Sequence, residues 1–210
     1  MYKLPYFTEE DHSKVIAFMK ENSFAIITGM NEKYPVATHV PLDIKMQEDK
    51  IIFIGHMMKN TDHHKAFIKN ENVLAIFNGP HCHVSASWYT NPAVASTWNY
   101  MTVHAKGKIY FKDELQTKNI VEALTNKYEK SGSAAAFNNL PNEYVDRLVK
   151  AIVGFKIEVE SIDNVFKLSQ NHEPETRQSI IKHLNENGSD DERKIAEEMQ
   201  LRIDIPKQYK

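Results

Sequence analysis

Cysteine is almost missing from this chain: Cys82 is the single one among 210 residues. That excludes an intrachain disulfide and a four-cysteine zinc site. Long apolar runs are missing as well. None exceeds five residues, as in Val73–Phe77, against the roughly 18 needed to span a bilayer, so no membrane partner is expected. The opening stretch MYKLPYFTEEDHSK lacks an apolar segment followed by small residues, so secretion is not signalled. No surplus of one charge exists either, since 26 Lys+Arg oppose 28 Asp+Glu for a net −2. A dedicated nucleic-acid binder shows net positive charge or a basic stripe, and here the lysines are scattered. GxGxxG, P-loop, GxSxG, HExxH and CxxC motifs are absent, which removes support for Rossmann, P-loop, hydrolase and common zinc chemistry. With 41% hydrophobic and 26% charged residues, the expectation is a soluble, cytoplasmic chain with a real core.

The patterning predicts a mainly β (α+β) fold. A first helix is expected over 9–22, where Val15, Ile16, Phe18 and Met19 recur at helical spacing and Thr8 stands as N-cap. Short Val-, Ile-, Phe- and Thr-rich runs at 24–29, 36–46, 50–56, 72–79, 81–89 and 102–111 follow, separated by polar turns. Such strands predict an antiparallel sheet closing into a barrel. Helices are predicted at about 60–70, 113–130 and 142–150, and a returning strand at 152–162 alternates Ile, Phe and Val with polar residues. Two tail helices, 174–186 and 189–201, are separated by an Asn187-Gly188 stop. The expectation is one domain over 1–210, with the barrel at about 24–162 and the tail helices at about 173–201.

Four polar or aromatic clusters fall at strand ends and turns. The first is Thr38-His39-Val40-Pro41, whose proline lacks a ladder donor and marks an edge, a bulge or an opening. In the second, Gly55-His56-Met57-Met58-Lys59-Asn60-Thr61, a strand runs into a helix start. Free N–H groups there, with Lys59, Asn60 and Thr61, make a phosphate cradle, although a solvated lysine beside a helix cap accounts for the same residues. The third joins Ser85-Ala86-Ser87-Trp88-Tyr89 to Ser96-Thr97-Trp98-Asn99-Tyr100 and holds both tryptophans. It reads either as apolar walls with convergent donors for a planar heteroaromatic ligand or as a hairpin with core aromatics. The fourth, Phe166-Lys167-Leu168-Ser169-Gln170-Asn171, reads as a ligand-closing or simply capped turn.

Ten histidines raise the question of a metal. The adjacent His63 and His64 do not share a helix face. In a strand, His81 and His83 point to one side and Cys82 to the other. No third ligand stands at a characteristic spacing, so no metal site is expected.

The segments MYKLPYF, ATHVPLDI, IGHMMKNTDHHKAF, VLAIFNGPHCHVSASWY, STWNYMTVHAKGKI, IVGFKIEV and VFKLSQN occur in an order that resembles PaiB-like proteins. These are FMN-binding negative transcriptional regulators. The resemblance covers nearly the whole chain. It implies a split β-barrel related to pyridoxamine-phosphate oxidase-like folds, with peripheral helices and a helical tail. It further implies a homodimer with FMN at the interface. By that analogy the His39–Pro41 segment lies along the flavin, and the turn at Lys59, Asn60 and Thr61, following His56, holds the phosphate. Trp98, Asn99 and Tyr100, together with Trp88, line the ring or ribityl side, and Lys167, Ser169 and Gln170 close the site. The chain departs from the family pattern: Lys59 stands where Arg is common, and Thr61, Asp62, Ala86, Ser96 and His172 replace other residues. Lysine keeps the charge of arginine without its bidentate fork.

The resemblance implies an FMN-binding regulator, with flavin-dependent oxidoreductase activity as one expectation, since the flavin itself supplies redox chemistry. No side chain reads as a substrate-specific acid or base, so no catalytic residue is assigned. One alternative is a non-catalytic regulator acting through protein partners, because SDDERKIAEEMQ, with five acids against two bases, is a poor face for DNA. The other is a haem-binding or haem-degrading split barrel using His39, His56, His81 or His83 as axial ligand.

Overall fold

Alternating burial builds the strands. In β1 (Phe24–Met30) Ala25 and Ile27 are buried between more exposed neighbours, the period-2 pattern of a sheet with one covered face. The computed structural model describes Met1 and residues 4–130 and 132–203; Tyr2 and Lys3 of the opening motif lie outside the described residues. Six further strands follow, β2 (Pro35–Pro41), β3 (Asp43–Gln47), β4 (Lys50–Met58), β5 (Asn72–Val84), β6 (Thr97–Phe111) and β7 (Ile152–Lys167). They form one seven-stranded antiparallel sheet in the order β2-β1-β5-β6-β7-β4-β3. The helices are α1 (His12–Glu21), α2 (Asp62–Lys69), α3 (Glu114–Tyr128), α4 (Asn142–Ala151), α5 (Pro174–Asn187) and α6 (Asp190–Gln200). No helix among the described residues is long and apolar enough to cross a membrane.

The predicted run 36–46 is two strands. β2 pairs with β1 from Pro41 opposite Phe24 to Pro35 opposite Met30, whereas β3 pairs with β4. Pro41 ends the first ladder, as a residue without a donor does at an edge. The predicted strands 72–79 and 81–89 merge into β5. Its buried set runs Val73, Ala75, Phe77 and then Cys82, Val84, so the phase shifts by one across Gly79-Pro80. An extra residue inserted in a strand has that effect. Trp88 belongs to a short 3₁₀ turn at Ala86–Trp88 instead of a strand. Thr8 does not cap α1: its hydroxyl donates to Leu4 O, and Asp11 accepts the Ser13 N–H at 2.9 Å, the helix starting at His12.

The chain divides into two compact units. Met19–Phe77 and His104–Ile162 form one. Its core includes Ala25, Ile27, Leu42, Phe53, Phe77, Phe155 and Ile157, with Phe53 and Phe77 edge to face at 5.1 Å. The other comprises Met1–Phe18, Asn78–Val103 and Asp163–Lys210, of which 204–210 lie outside the described residues. There Ile180 and Leu184 of α5 and Ile195 and Met199 of α6 are buried, and Phe18 packs on Phe166 at 5.0 Å. Gly188 follows α5 as expected, at a φ of −76°. A Cβ there would lie 2.0 Å from Leu184 O, so close approach of the backbone requires the glycine. The C-terminal end is tied down by Arg177, whose guanidinium donates to the carbonyls of Arg202 and Ile203, while Arg202 pairs with Glu9 at 3.0 Å and with Glu198.

A buried hydroxyl ties helix α3 to β7. Thr117 is buried, donates to Asp113 O at 2.7 Å and accepts the Gly154 N–H at 2.9 Å. Thr117→Val keeps the shape and leaves that buried N–H without an acceptor, which costs about 1–3 kcal/mol. Chemical denaturation is expected to show a lower midpoint at unchanged m-value; an unaltered midpoint refutes this account of the hydroxyl.

Candidate functional site

In the unit built on Met19–Phe77 and His104–Ile162, the candidate site is the turn from β4 into α2. The Lys59 N–H donates to Ala151 O at 2.9 Å, which ties the end of β4 to the end of α4. Asn60 follows at φ 65°, the left-handed region that asparagine tolerates better than most residues. Thr61 then caps α2, accepting from His64 N–H at 3.3 Å and donating to Met58 O at 3.2 Å. The His64 Nδ1 accepts the Asn60 N–H at 3.1 Å. Asp62 takes the His63 N–H at 2.7 Å. Two of the first-turn N–H groups are therefore used by the chain's own side chains. What the turn presents outward is the half-buried Lys59 and the exposed Asn60 amide.

His56 lies on β4 just before this turn. It lines an apolar cavity of ≈ 270 Å³ with Met58, Val121, Leu140, Val149 and Ile152 among its walls. Its Nδ1 is buried and has no hydrogen-bond partner among the described residues. Burial pushes its pKa down, because desolvation disfavours the charged ring. Strand β2 comes close to β4: a Cβ on Gly55 would lie 3.2 Å from Pro41 O. On β2, His39 is exposed beside Phe24, ring centroids 6.2 Å apart, Val40 is buried and Pro41 half-buried. His39, Val40, Pro41, His56, Lys59, Asn60 and Thr61 thus share one unit.

The remaining predicted residues lie in the other unit. Trp98 on β6 is 54% exposed and meets the rings of His81 at 6.2 Å and His83 at 5.9 Å. The alternation expected for His81-Cys82-His83 holds, with both histidines out and the cysteine in. Among the described residues no group of three or more His, Cys, Asp and Glu could hold a metal ion. Asn99 is wholly buried; its amide meets the Ser169 hydroxyl at 3.0 and 3.1 Å and Met199 Sδ at 3.5 Å. Ser169 sits at φ 60°. Gln170 accepts the Leu168 N–H at 2.7 Å and donates to Phe166 O. Lys167 donates to Trp98 O at 2.9 Å and to the Thr97 hydroxyl, and burial lowers its pKa. Trp88 stacks on His183 of α5 at 5.2 Å. Tyr100 is half-buried on β6. Asn99, Ser169 and Gln170 therefore direct polar groups at the chain itself: Asn99 with Ser169, and Lys167 through Trp98 O, brace the strand that carries Trp98, while Gln170 closes its own turn.

Sequence reasoning missed His64, which it weighed only as a metal ligand. The signal was present: a threonine N-cap with an acceptor-bearing residue three positions on is the arrangement of a capping box. The stacking of Trp88 on His183 had no local signal.

Burial, with Glu192 and Asp191 nearby, pushes the Cys82 thiol up to about 12. At pH 8 the thiolate fraction is then only about one in ten thousand. Cys82 is expected to resist a thiol-exchange reagent in the native protein and to react stoichiometrically in denaturant; rapid native labelling contradicts this placement.

Three comparisons bear on identity. The sequence model of the family described as "Putative FMN-binding domain" matches residues 1–161. The protease synthase and sporulation protein PAI 2 of Bacillus subtilis is 33% identical over 206 residues, covering 97% of this chain and 98% of that one. Among solved structures, the FAD and heme binding protein from Mycobacterium smegmatis aligns with a TM-score of 0.56 at 11% identity, over 76% of this chain and 73% of its own. The flavocytochrome Anf3 from Azotobacter vinelandii aligns at 0.53 and 13%, over 79% and 72%. At such identities these structures bear on the fold alone, and the expected antiparallel split β-barrel with peripheral and tail helices is met. From the family match over most of its length and the Bacillus subtilis relative aligned over nearly all of both chains, this chain belongs to the FMN-binding split-barrel family, with FMN as its cofactor.

Proposed function

We propose that this protein is an FMN-dependent regulatory flavoprotein whose β4–α2 turn anchors the FMN phosphate. The observation that carries this reading is the left-handed Asn60 between Lys59 and the Thr61-capped helix. FMN carries a phosphate dianion, and the turn offers a cation, an amide and the positive end of a helix dipole, so the donor set fits. The Asp62 carboxylate is engaged by His63 and serves the helix start. In the same unit, His39 and Pro41 border the flavin and Val40 holds their strand, while His56 stands neutral in the cavity wall. In the other unit, taken by itself, the exposed indole of Trp98 offers a surface on which a planar ring can stack, with Tyr100 two positions on along β6 and Trp88 held against His183. Lys167, Asn99 and Ser169 act by fixing its strand, and Gln170 by holding the turn that carries Ser169.

When bound, FMN supplies the redox chemistry; the side chains of this protein bind and orient it, and no catalytic acid or base is assigned. The chain acts as one domain and as a cytoplasmic homodimer. Phe24 and Met30, both largely exposed on β1, supply apolar surface that supports pairing with a second copy. The regulatory role follows the PaiB relationship and works through protein partners. Helix α6 buries Ile195, Ala196 and Met199, and its first turn carries Asp190, Asp191 and Glu192, a surface that repels nucleic-acid phosphate.

The test of the anchor is flavin affinity. FMN is expected to raise the melting temperature more than riboflavin does at equal concentration. Lys59→Ala should weaken FMN binding about tenfold or more, the worth of a charge-assisted hydrogen bond. Full FMN affinity in that variant sinks the reading. For the tail, mobility-shift titrations of the full chain against duplex DNA should show no retardation near 0.15 M salt, and salt-sensitive retardation there would overturn the protein-partner route.

A further inference from the structure

We propose that His64 makes the β4–α2 turn selective for a phosphorylated flavin; the inference rests on the reading of that turn as the phosphate anchor. Two hydrogen bonds interlock there. The Thr61 hydroxyl accepts the His64 N–H at 3.3 Å, and the His64 imidazole accepts the Asn60 N–H through Nδ1 at 3.1 Å. In a capping box the side chain three residues into the helix reaches back to the N-cap N–H. Here a histidine does this one residue further out, so the N–H it holds is that of the left-handed Asn60.

The chemistry assigns the state of the ring. An Nδ1 that accepts carries no proton, so His64 is the neutral tautomer with its hydrogen on Nε2. Partial burial and the neighbouring charges of His63, Lys59 and Lys65 hold its pKa below the ordinary value. The ring stands edge-on to Phe111 of β6 at 4.9 Å and 85°, which fixes its orientation. With the Asn60 N–H drawn into the helix start and its φ held at 65°, Lys59 and the Asn60 amide stay outward in a preset geometry. Preorganisation of this kind raises affinity by removing an ordering cost. It benefits only a ligand with an anion to place at the turn. FMN has one and riboflavin does not.

The experiment compares dissociation constants for FMN and riboflavin, by quenching of flavin fluorescence at pH 7.5, in the wild type, His64→Leu and His64→Gln. The wild type should prefer FMN. His64→Leu removes the acceptor and should weaken FMN binding about five- to tenfold while leaving riboflavin unchanged, and the retained riboflavin affinity also reports an intact fold. His64→Gln, whose side-chain carbonyl can reach the same N–H, should recover most of the FMN affinity. Unchanged FMN binding in His64→Leu, equal losses for both flavins, or a glutamine variant as weak as leucine each overturns the role of His64. A wild type that binds both flavins equally refutes the phosphate anchor itself, and the inference with it.

Discussion

A single residue, Leu42, links two strands that lie at opposite ends of the sheet order. β2 ends at Pro41 and β3 begins at Asp43, yet five strands separate them in the hydrogen-bonded sequence of the sheet. Laid flat, seven strands would place those edges about 29 Å apart, and one residue spans no more than about 4 Å. The sheet must therefore curl until its edges meet. Leu42 is completely buried at the join, and its N–H donates to Ser23 O at 2.8 Å, so the crossing leaves no orphaned donor. Gly55 completes the closure by letting β4 approach the Pro41 carbonyl, where any side chain would collide with Phe155.

That closure sets up the candidate site. β4 runs out of the closed sheet into the Lys59–Thr61 turn, and the end of the strand is pinned to Ala151. A turn attached to two fixed elements can keep a left-handed asparagine and a cap whose hydrogen bonds are all local. Burial decides which polar residues remain available to a ligand. Asn99 and Ser169 satisfy one another in the interior, as buried polar groups generally must. Their hydrogen bonds tie β6, the strand that carries Trp98, to the segment that follows β7. Trp98 itself stays exposed because its neighbours His81 and His83 lie on the outer side of β5.

Much of this was legible residue by residue. Each helix core was predicted within a few positions, because amphipathic spacing is a local signal. That His81 and His83 share one face and Cys82 takes the other followed from strand alternation. The misreadings had local causes. A proline suggested a break inside 72–89 where the strand instead shifts phase, and Thr8 suggested a helix cap where Asp11 takes the Ser13 N–H. The division of 36–46 between two sheet edges was invisible, since one continuous run of β-forming residues carries no record of its partners.

The amino-acid sequence by itself determined the helices, which stretches are extended, the strand-to-helix turn bearing Lys59, Asn60 and Thr61, and the family to which the chain belongs. Those depend on periodicity, capping and short motifs, which act between neighbours. Only the tertiary structure decided that β2 and β3 part at Leu42, that Asn99 meets Ser169 seventy residues away, and that Trp88 stacks on His183. Contacts over such separations arise when a closed sheet and packed helices bring distant segments together, and no local pattern encodes them.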